Sequence, residues 1–326
     1  MKDHLICLAL EGTAHTAACA IVTSKGNILS DVRDMYTKET TGIIPSEAAQ
    51  HHKKVFPNLI KEAIAKAKTK KIDLVAYSRS PGLPPSLKET LNTALDISKD
   101  LKSPLIGVNH CISHLSTAHF FTQTKNPVYI FVSGANTQII SLEGNKFRIL
   151  GETISSGIGN ALDKFGRSIG LGFPAGPKIE ESAQKGRYIE LPYTVKGMDI
   201  EPAGIVTAAI QKFKNGIKKE DLCFSIQETL FAMLTEVTER ALAHTKKDEA
   251  VIIGGVAANK RLSEMLSIMC KERKAKFYTI PIKYAGDQAV MIGLQGMLEY
   301  QAGNRTKNPD INPYERVDEI KVTWKY

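Results

Sequence analysis

Val128-Tyr-Ile-Phe-Val132, Ser133-Gly134-Ala135-Asn136-Thr137, Gln138-Ile-Ile-Ser-Leu142, Gly144-Asn145 and Phe147-Arg-Ile-Leu150 read as strand, turn, strand, turn and strand. The same grammar stands near the N-terminus. Residues 5–10 are an apolar run, Glu11-Gly12-Thr13-Ala14-His15-Thr16 a polar turn, residues 17–22 a second run, Gly26-Asn27 a turn, and Ile28 opens a third strand. In each copy a small Gly-containing turn between apolar strands presents N–H groups and hydroxyls, which is how a hairpin grips a phosphate. Two such hairpins facing each other would make a nucleotide cleft. Two ordinary hairpins of an α/β protein would show the same spacing.

Beyond each meander the pattern changes to helices alternating with strands. Residues 46–68 carry an amphipathic helix expected to bend near Pro57, residues 72–77 a strand, 78–85 a Pro- and Gly-rich loop, 86–101 a helix and 105–108 a strand. Later come helices at 160–169, 178–184 and 219–245, a strand at 250–253, a helix at 259–273, a strand at 277–280 and a last helix after Asp287. Such alternation implies crossover-connected, largely parallel strands. A chain of 326 residues exceeds what one core usually covers, so two lobes of about 150 residues each are expected.

Apolar residues make up 43% and charged residues 24% of the chain, ordinary values for a soluble globular protein. The N-terminal apolar run is too short for a signal peptide, and no segment approaches the ~20 apolar residues of a membrane span. The five cysteines are scattered without a Cys-x-x-Cys pair, which reads as a reduced cytoplasm. The formal charge of +9 is clustered at Lys66, Lys68, Lys70 and Lys71, at Lys212, Lys214, Lys218 and Lys219, and at Lys271, Arg273, Lys274 and Lys276. Such patches suit a polyanion or are solvated helix faces.

Chemistry concentrates at a few places. Asn109 is a good N-cap after a short strand, so His110 and His114 start a helix as an i, i+4 pair with both imidazoles on one face. That spacing fits one metal ion, or two solvated or capping histidines. It does not fit a zincin, because Cys111 stands where that motif needs Glu. Gly254-Gly-Val-Ala-Ala-Asn259 joins a buried strand to a helix with small residues that admit a base or ribose. The loop from Gly170 to Glu180 is Gly-rich and precedes a Pro-started helix, a candidate phosphate or ribose clamp. Gly286-Asp287-Gln288 sets a carboxylate at a helix start, where the bland reading is an N-cap.

Taken together, these motifs resemble the tRNA threonylcarbamoyladenosine transferase family in its archaeal and eukaryotic form, the catalytic subunit of the KEOPS complex. The resemblance runs nearly end to end. It rests on Glu11 to Thr16, Gly42-Ile-Ile-Pro45-Ser-Glu47, Asn109-His110 with His114, Val132 to Thr137, Asp163-Lys-Phe-Gly166-Arg167, Phe173 to Pro177, Gly254 to Asn259 and Tyr284-Ala-Gly-Asp287. It implies the actin/Hsp70/sugar-kinase (ASKHA) α/β fold, two duplicated lobes around a nucleotide cleft. The lobes are placed at residues 1–125 and 126–326, with the last residues able to return to the first.

Carried over residue by residue, the resemblance makes His110, His114 and Asp287 ligands of one divalent ion, Fe(II) or Zn(II). It places adenine nucleotide or threonylcarbamoyl-adenylate on Phe131, Val132, Ser133, Gly134, Ala135, Asn136, Asp163, Gly176, Glu180 and Asn259. Two departures stand out. Archaeal relatives carry a metal-binding Tyr directly before Val-Ser-Gly, where this chain has Phe131; Tyr129 lies on the same strand face, about 6.6 Å away. The second Gly of the turn is Ala135. The implied activity is transfer of threonylcarbamoyl from its adenylate to the exocyclic amine of the adenosine 3′ of the anticodon, in tRNAs reading codons that begin with A. It needs no catalytic group beyond the metal site; His15 is a candidate proton acceptor or a structural turn residue. Implied partners are tRNA, a small protein kinase/ATPase and small accessory subunits, in the cytoplasm and without a membrane. The competing readings are an ATP-dependent kinase or ATPase of the same fold, and a nucleotide-regulated scaffold.

Overall fold

The structure is a computed structural model and describes residues 4–37, 42–69 and 71–326. Lys70 of the first basic cluster lies outside the described residues. In chain order the elements are β1 (Ile6–Glu11), β2 (Thr16–Thr23), β3 (Ile28–Met35), α1 (Pro45–Ala67), β4 (Leu74–Ser80), α2 (Pro84–Leu101), β5 (Leu105–Asn109) and α3 (His110–Thr122). There follow β6 (Val128–Val132), β7 (Thr137–Glu143), β8 (Lys146–Glu152), α4 (Ile158–Ser168), α5 (Gly176–Ala183), β9 (Val195–Lys196), β10 (Asp199–Ile200), α6 (Pro202–Lys214) and α7 (Lys219–Thr245). The chain closes with β11 (Glu249–Ile253), α8 (Lys260–Glu272), β12 (Lys276–Thr279) and α9 (Ala289–Gln301).

Two compact units result, Met1–Phe121 with Asp287–Tyr326, and Thr122–Gly286. The boundary expected at 125/126 lies here at 121/122, and the return of the last residues to the first unit, allowed for above, begins at Asp287. The physical reason lies in α9, which packs on β1, β2, β4 and β5. Its Gly293 has no room for a side chain: a Cβ there would sit 2.6 Å from Val22 and 3.2 Å from Ala9. Small residues on both surfaces let the helix lie close to the sheet.

The sheet of the first unit has the order β3-β2-β1-β4-β5. The first three strands form the antiparallel meander, and β4 and β5 run parallel to β1. Alternation along β1 decides its faces. Leu8 and Leu10 join Phe56 and Leu59 of α1 and Leu91 of α2 in one buried cluster, whereas Ala9 faces α9. Both faces are covered, which is why β1 reads as a continuous apolar run rather than an alternating one. Each large side chain buried there contributes about 1.5–3 kcal/mol.

In the second unit the order is β12-β11-β6-β7-β8, the same pattern of an antiparallel meander with two parallel strands added at its first strand. Val128, Ile130 and Val132 of β6 point into a core built largely on α7, with Ile226, Leu230, Leu234 and Val237 among its buried residues. Sequence reading missed α6, started by the Glu201 cap and Pro202, and the short β9–β10 hairpin. No helix among the described residues is long and apolar enough to cross a membrane.

Candidate functional site

The first unit gathers one cluster of titratable side chains. Asn109 ends β5 and caps α3: its Oδ1 accepts the Ile112 N–H at 3.1 Å and its carbonyl accepts from the Ser113 hydroxyl. The cap fixes the first helical turn, so His110 and His114 project together with ring centroids 4.8 Å apart, edge to face. Asp287 completes the set. Its Oδ1 lies 3.5 Å from His110 Nε2 and 3.4 Å from His114 Nε2. One ligand atom from each residue falls within 4.8 Å of the others. Metal–ligand bonds of about 2.0–2.2 Å put adjacent ligands roughly 3.0–3.5 Å apart; the two Asp287–His separations lie in that range and the whole set spans no more than 4.8 Å, so a small inward shift of the imidazoles would let the three donors share one divalent ion. Asp287 keeps 22% of its side chain exposed, which leaves the cluster an open side.

Asp287 is not the N-cap that its position suggested. That role belongs to Gln288, whose Oε1 accepts the Met291 N–H at 2.9 Å, so the Asp287 carboxylate is spared for the histidines. Arg33 pins the same segment by donating to the Asp287 carbonyl at 3.3 Å.

Glu11, which sequence reading left without a role, lies behind His110. It is fully buried at the end of β1. Its Oε1 accepts from Thr13, through the backbone N–H at 2.8 Å and the hydroxyl at 2.5 Å, while its Oε2 faces His110 Nδ1 at 3.1 Å. Its signal was present in the sequence: a carboxylate ending an otherwise apolar strand. Burial opposes a charged His110, but the Glu11 and Asp287 carboxylates outweigh it and hold the ring up at about 9. For His114 burial wins, and its pKa is lowered. Burial works against an ionised Asp287 too; His110, His114 and the nearby His15 overcome it and keep the carboxylate well below its usual range. Cys111 is buried in α3, and no cysteine among the described residues is in a disulfide.

The residues expected at a nucleotide lie in the second unit, and a chain of contacts connects them. The Ser133–Asn136 turn closes on itself: the Ser133 N–H donates to the Asn136 carbonyl at 2.7 Å, and the Ser133 hydroxyl accepts the Asn136 N–H at 3.0 Å. The start of α4 docks on this turn, with Gly159 and Asn160 N–H groups donating to the Ser133 and Gly134 carbonyls. Gly159 permits that approach, since a Cβ there would meet Gly134 at 2.8 Å. Further along α4, Asp163 accepts the Ala175 N–H at 2.7 Å, at the threshold of Gly176. Burial nonetheless raises the Asp163 pKa. Glu180 on α5 accepts the Lys260 N–H at 2.8 Å, beside Asn259. Asn259 caps α8 through Leu262 N–H and donates to Gln227. Gly254 returns the circuit to β6: its φ is +94°, and a Cβ would lie 2.3 Å from the Val132 carbonyl oxygen.

The hydroxyls of the turn are therefore less exposed than the sequence suggested. Ser133 is engaged inside the turn, and Thr137 Oγ1 accepts the Ile158 N–H at 3.0 Å. Phe131 is buried in β6 and offers no ligand atom; Tyr129 is buried too, its ring edge-on to Phe147.

Comparison with known proteins decides the family. A family model described as tRNA N6-adenosine threonylcarbamoyltransferase (TsaD) matches residues 27–294, the greater part of both units. A relative of that description from Thermococcus sibiricus is 48% identical over 326 residues, covering 98% of this chain and 100% of its own. The chain belongs to the tRNA N6-adenosine threonylcarbamoyltransferase family. A Methanocaldococcus jannaschii relative, called a probable bifunctional tRNA threonylcarbamoyladenosine biosynthesis protein, is 47% identical over 98% of this chain but only 60% of its own length. Among solved structures, HypF of T. kodakarensis aligns with a TM-score of 0.60 at 14% identity, over 93% of this chain and 49% of that one. A ROK family glucokinase from Streptomyces griseus aligns with a TM-score of 0.50 at 11% identity, over 89% and 99%. These likenesses bear on fold alone and place both units of this family member in the ASKHA architecture. The match to the threonylcarbamoyltransferase model includes His110, His114 and Asp287, whereas Glu11 precedes it.

Proposed function

We propose that this chain transfers a threonylcarbamoyl group from threonylcarbamoyl-adenylate to the exocyclic amine of the adenosine 3′ of the anticodon in tRNAs reading codons that begin with A. The observation that carries the reading is the convergence of His110, His114 and Asp287 in a member of this family. These three would hold one divalent ion, Fe(II) or Zn(II), and that ion supplies Lewis-acid polarisation of an acyl donor. The chain's own residues do the rest. The Gly134 and Ala135 amides, at the tip of the self-closed turn, face the phosphate of the adenylate. Asp163, Gly176, Glu180 and Asn259 surround its nucleoside. The amine nitrogen attacks the carbamoyl carbon, the bond to the phosphate oxygen breaks, AMP departs and the amine gives up a proton. Because AMP is a good leaving group, no serine or cysteine nucleophile is needed. His15, close to Asp287, is the candidate to take the proton.

The basic clusters at Lys212–Lys219 and Lys271–Lys276 offer phosphate contacts to the tRNA. The longer relatives named bifunctional support a second activity working with this one; the family resemblance implies that the partners are KEOPS-type subunits, a small protein kinase/ATPase and small accessory subunits, in the cytoplasm. The test is retention of labelled threonine in tRNA. Wild-type protein, given threonylcarbamoyl-adenylate, tRNA and the small subunits, should incorporate label, and Asp287→Asn should not, while Cys111→Ser should. No labelled tRNA from the complete mixture, with rapid ATP hydrolysis by the isolated chain, would establish the kinase or ATPase reading instead.

A further inference from the structure

Glu11 is completely buried, and placing a carboxylate there costs several kcal/mol unless donors compensate it. Its two oxygens have separate tasks. Oε1 is anchored by both Thr13 donors, the N–H at 2.8 Å and the hydroxyl at 2.5 Å. Oε2 is left for His110 Nδ1 at 3.1 Å. Thr13 Oγ1 also lies 3.3 Å from that nitrogen and, with its only proton given to Glu11, can only accept there. Both atoms facing Nδ1 are thus acceptors, so Nδ1 carries the proton of the ring. When the ring gives up its second proton to bind an ion, the lone pair therefore sits on Nε2, the atom aimed at Asp287 Oδ1. The opposite tautomer would point an N–H at the place where an ion belongs.

We propose that Glu11, anchored by Thr13, is a positioning residue for the metal centre: it fixes the tautomer and ring plane of His110 and, through that ring, raises the affinity for the ion. The inference rests on the metal reading given above. A ligand histidine draws basicity and orientation from the carboxylate behind it, and loss of such a partner typically costs 10–100-fold in metal affinity. Glu11 is well suited to that task. It leaves a rigid strand buried on both faces, and its second oxygen is immobilised, so the carboxylate cannot rotate away from the imidazole.

The experiment measures Zn2+ affinity of the full chain by competition with a chromophoric chelator, and records the visible d–d spectrum of the Co2+-substituted protein. Glu11→Gln should weaken Zn2+ binding by about 10–100-fold and change the Co2+ band intensities. Thr13→Val, which removes only the hydroxyl anchor, should move both readouts in the same direction by a smaller factor. Circular dichroism and the unfolding midpoint report intact folding of both variants, and adenine nucleotide affinity, proposed to rest on residues of the second unit, should stay within twofold. Zn2+ affinity within twofold of wild type in folded Glu11→Gln overturns the proposal; should that variant fail to fold, unchanged affinity and spectrum in Thr13→Val overturn it equally. If His110→Ala abolishes binding while folded Glu11→Gln keeps it within twofold of wild type, the metal reading stands and this inference alone falls. If wild-type protein binds no Zn2+ at all, the metal reading falls and takes the inference with it.

Discussion

At the scale of the residue, the site is a case of helix geometry meeting one distant carboxylate. His110 and His114 are brought together by the α3 backbone whatever else the chain does, but two imidazoles alone give an ion a weak hold. In the proposed metal site, Asp287 would turn the pair into three ligands on one side of an ion. Individual replacement of His110 or His114 by Ala, or of Asp287 by Asn, should therefore reduce Zn2+ affinity by more than the roughly 100-fold upper range expected for loss of an outer partner. Zinc content of the dialysed proteins, with circular dichroism as the folding check, decides this; full stoichiometry in a folded variant would remove that residue from the ligand set. Glu180→Gln acts elsewhere. It weakens the bond that Glu180 makes to the Lys260 N–H and should lower nucleotide affinity severalfold in a calorimetric titration, leaving zinc content unchanged.

At the scale of the element, helix starts do much of the positioning. Asn109, Asn259 and Gln288 each commit a side-chain oxygen to an N–H of the first turn, and each stands next to, or is itself, a proposed site residue. Gln288 is fully buried, so no water can replace its bond to Met291. Gln288→Ala should cost about 1–2 kcal/mol in a urea unfolding titration and should also weaken Zn2+ binding, because the backbone that presents Asp287 loses its fixed entry into α9. A stability loss with unchanged zinc affinity would show that the Gln288 cap is not needed to present Asp287. The element level also explains how far the C-terminal return to the first unit reaches. From sequence, the helix after Asp287 looks like one more unit of the second half; its Gly293 face, fitted to Ala9 and Val22, assigns it to the first sheet.

At the scale of the whole molecule, buried charge bears on stability and surface charge on the proposed partner. Glu299 on α9 is partly buried, and its withdrawal from water raises its carboxyl from the usual 4.5 to about 7, with Gln295 and Asn304 as partners acting in the other sense. Its folded pKa is above its unfolded one, so between these values the folded chain holds the extra proton. The group leaves stability undiminished below about 4.5 and subtracts from it progressively up to about pH 7. Glu299→Gln should abolish that dependence and be more stable than wild type at pH 8 by about 2–3 kcal/mol, read from denaturant midpoints at pH 4.5 and 8. Equal slopes for the two proteins would refute the assignment. The basic clusters are the proposed phosphate contacts. Binding of tRNA should weaken steeply with salt, and Lys-to-Glu changes at Lys271, Lys274 and Lys276 should lower the slope of log affinity against log salt by about one for each phosphate no longer neutralised. A slope untouched by all three would place the tRNA on another face.

The sequence by itself determined what depends on local spacing. Alternation and turn chemistry marked the two meanders, and 3.6-residue periodicity marked α7 with its bounds at Lys219 and Thr245. The i, i+4 pair announced itself because a helix brings such residues together without help from the rest of the fold. Tertiary structure decided whatever needs residues far apart in sequence. Whether Asp287 caps a helix or faces two histidines depends on Gln288 taking the cap, a choice between adjacent residues that packing settles. Glu11 had no reading until β1 and α3 set it 3.1 Å from a ring 99 residues away. The hydroxyl of Ser133, read as an open phosphate donor, proved to be occupied by its own turn. In each case a polar atom has several acceptable partners, and only the folded chain fixes which one lies within reach.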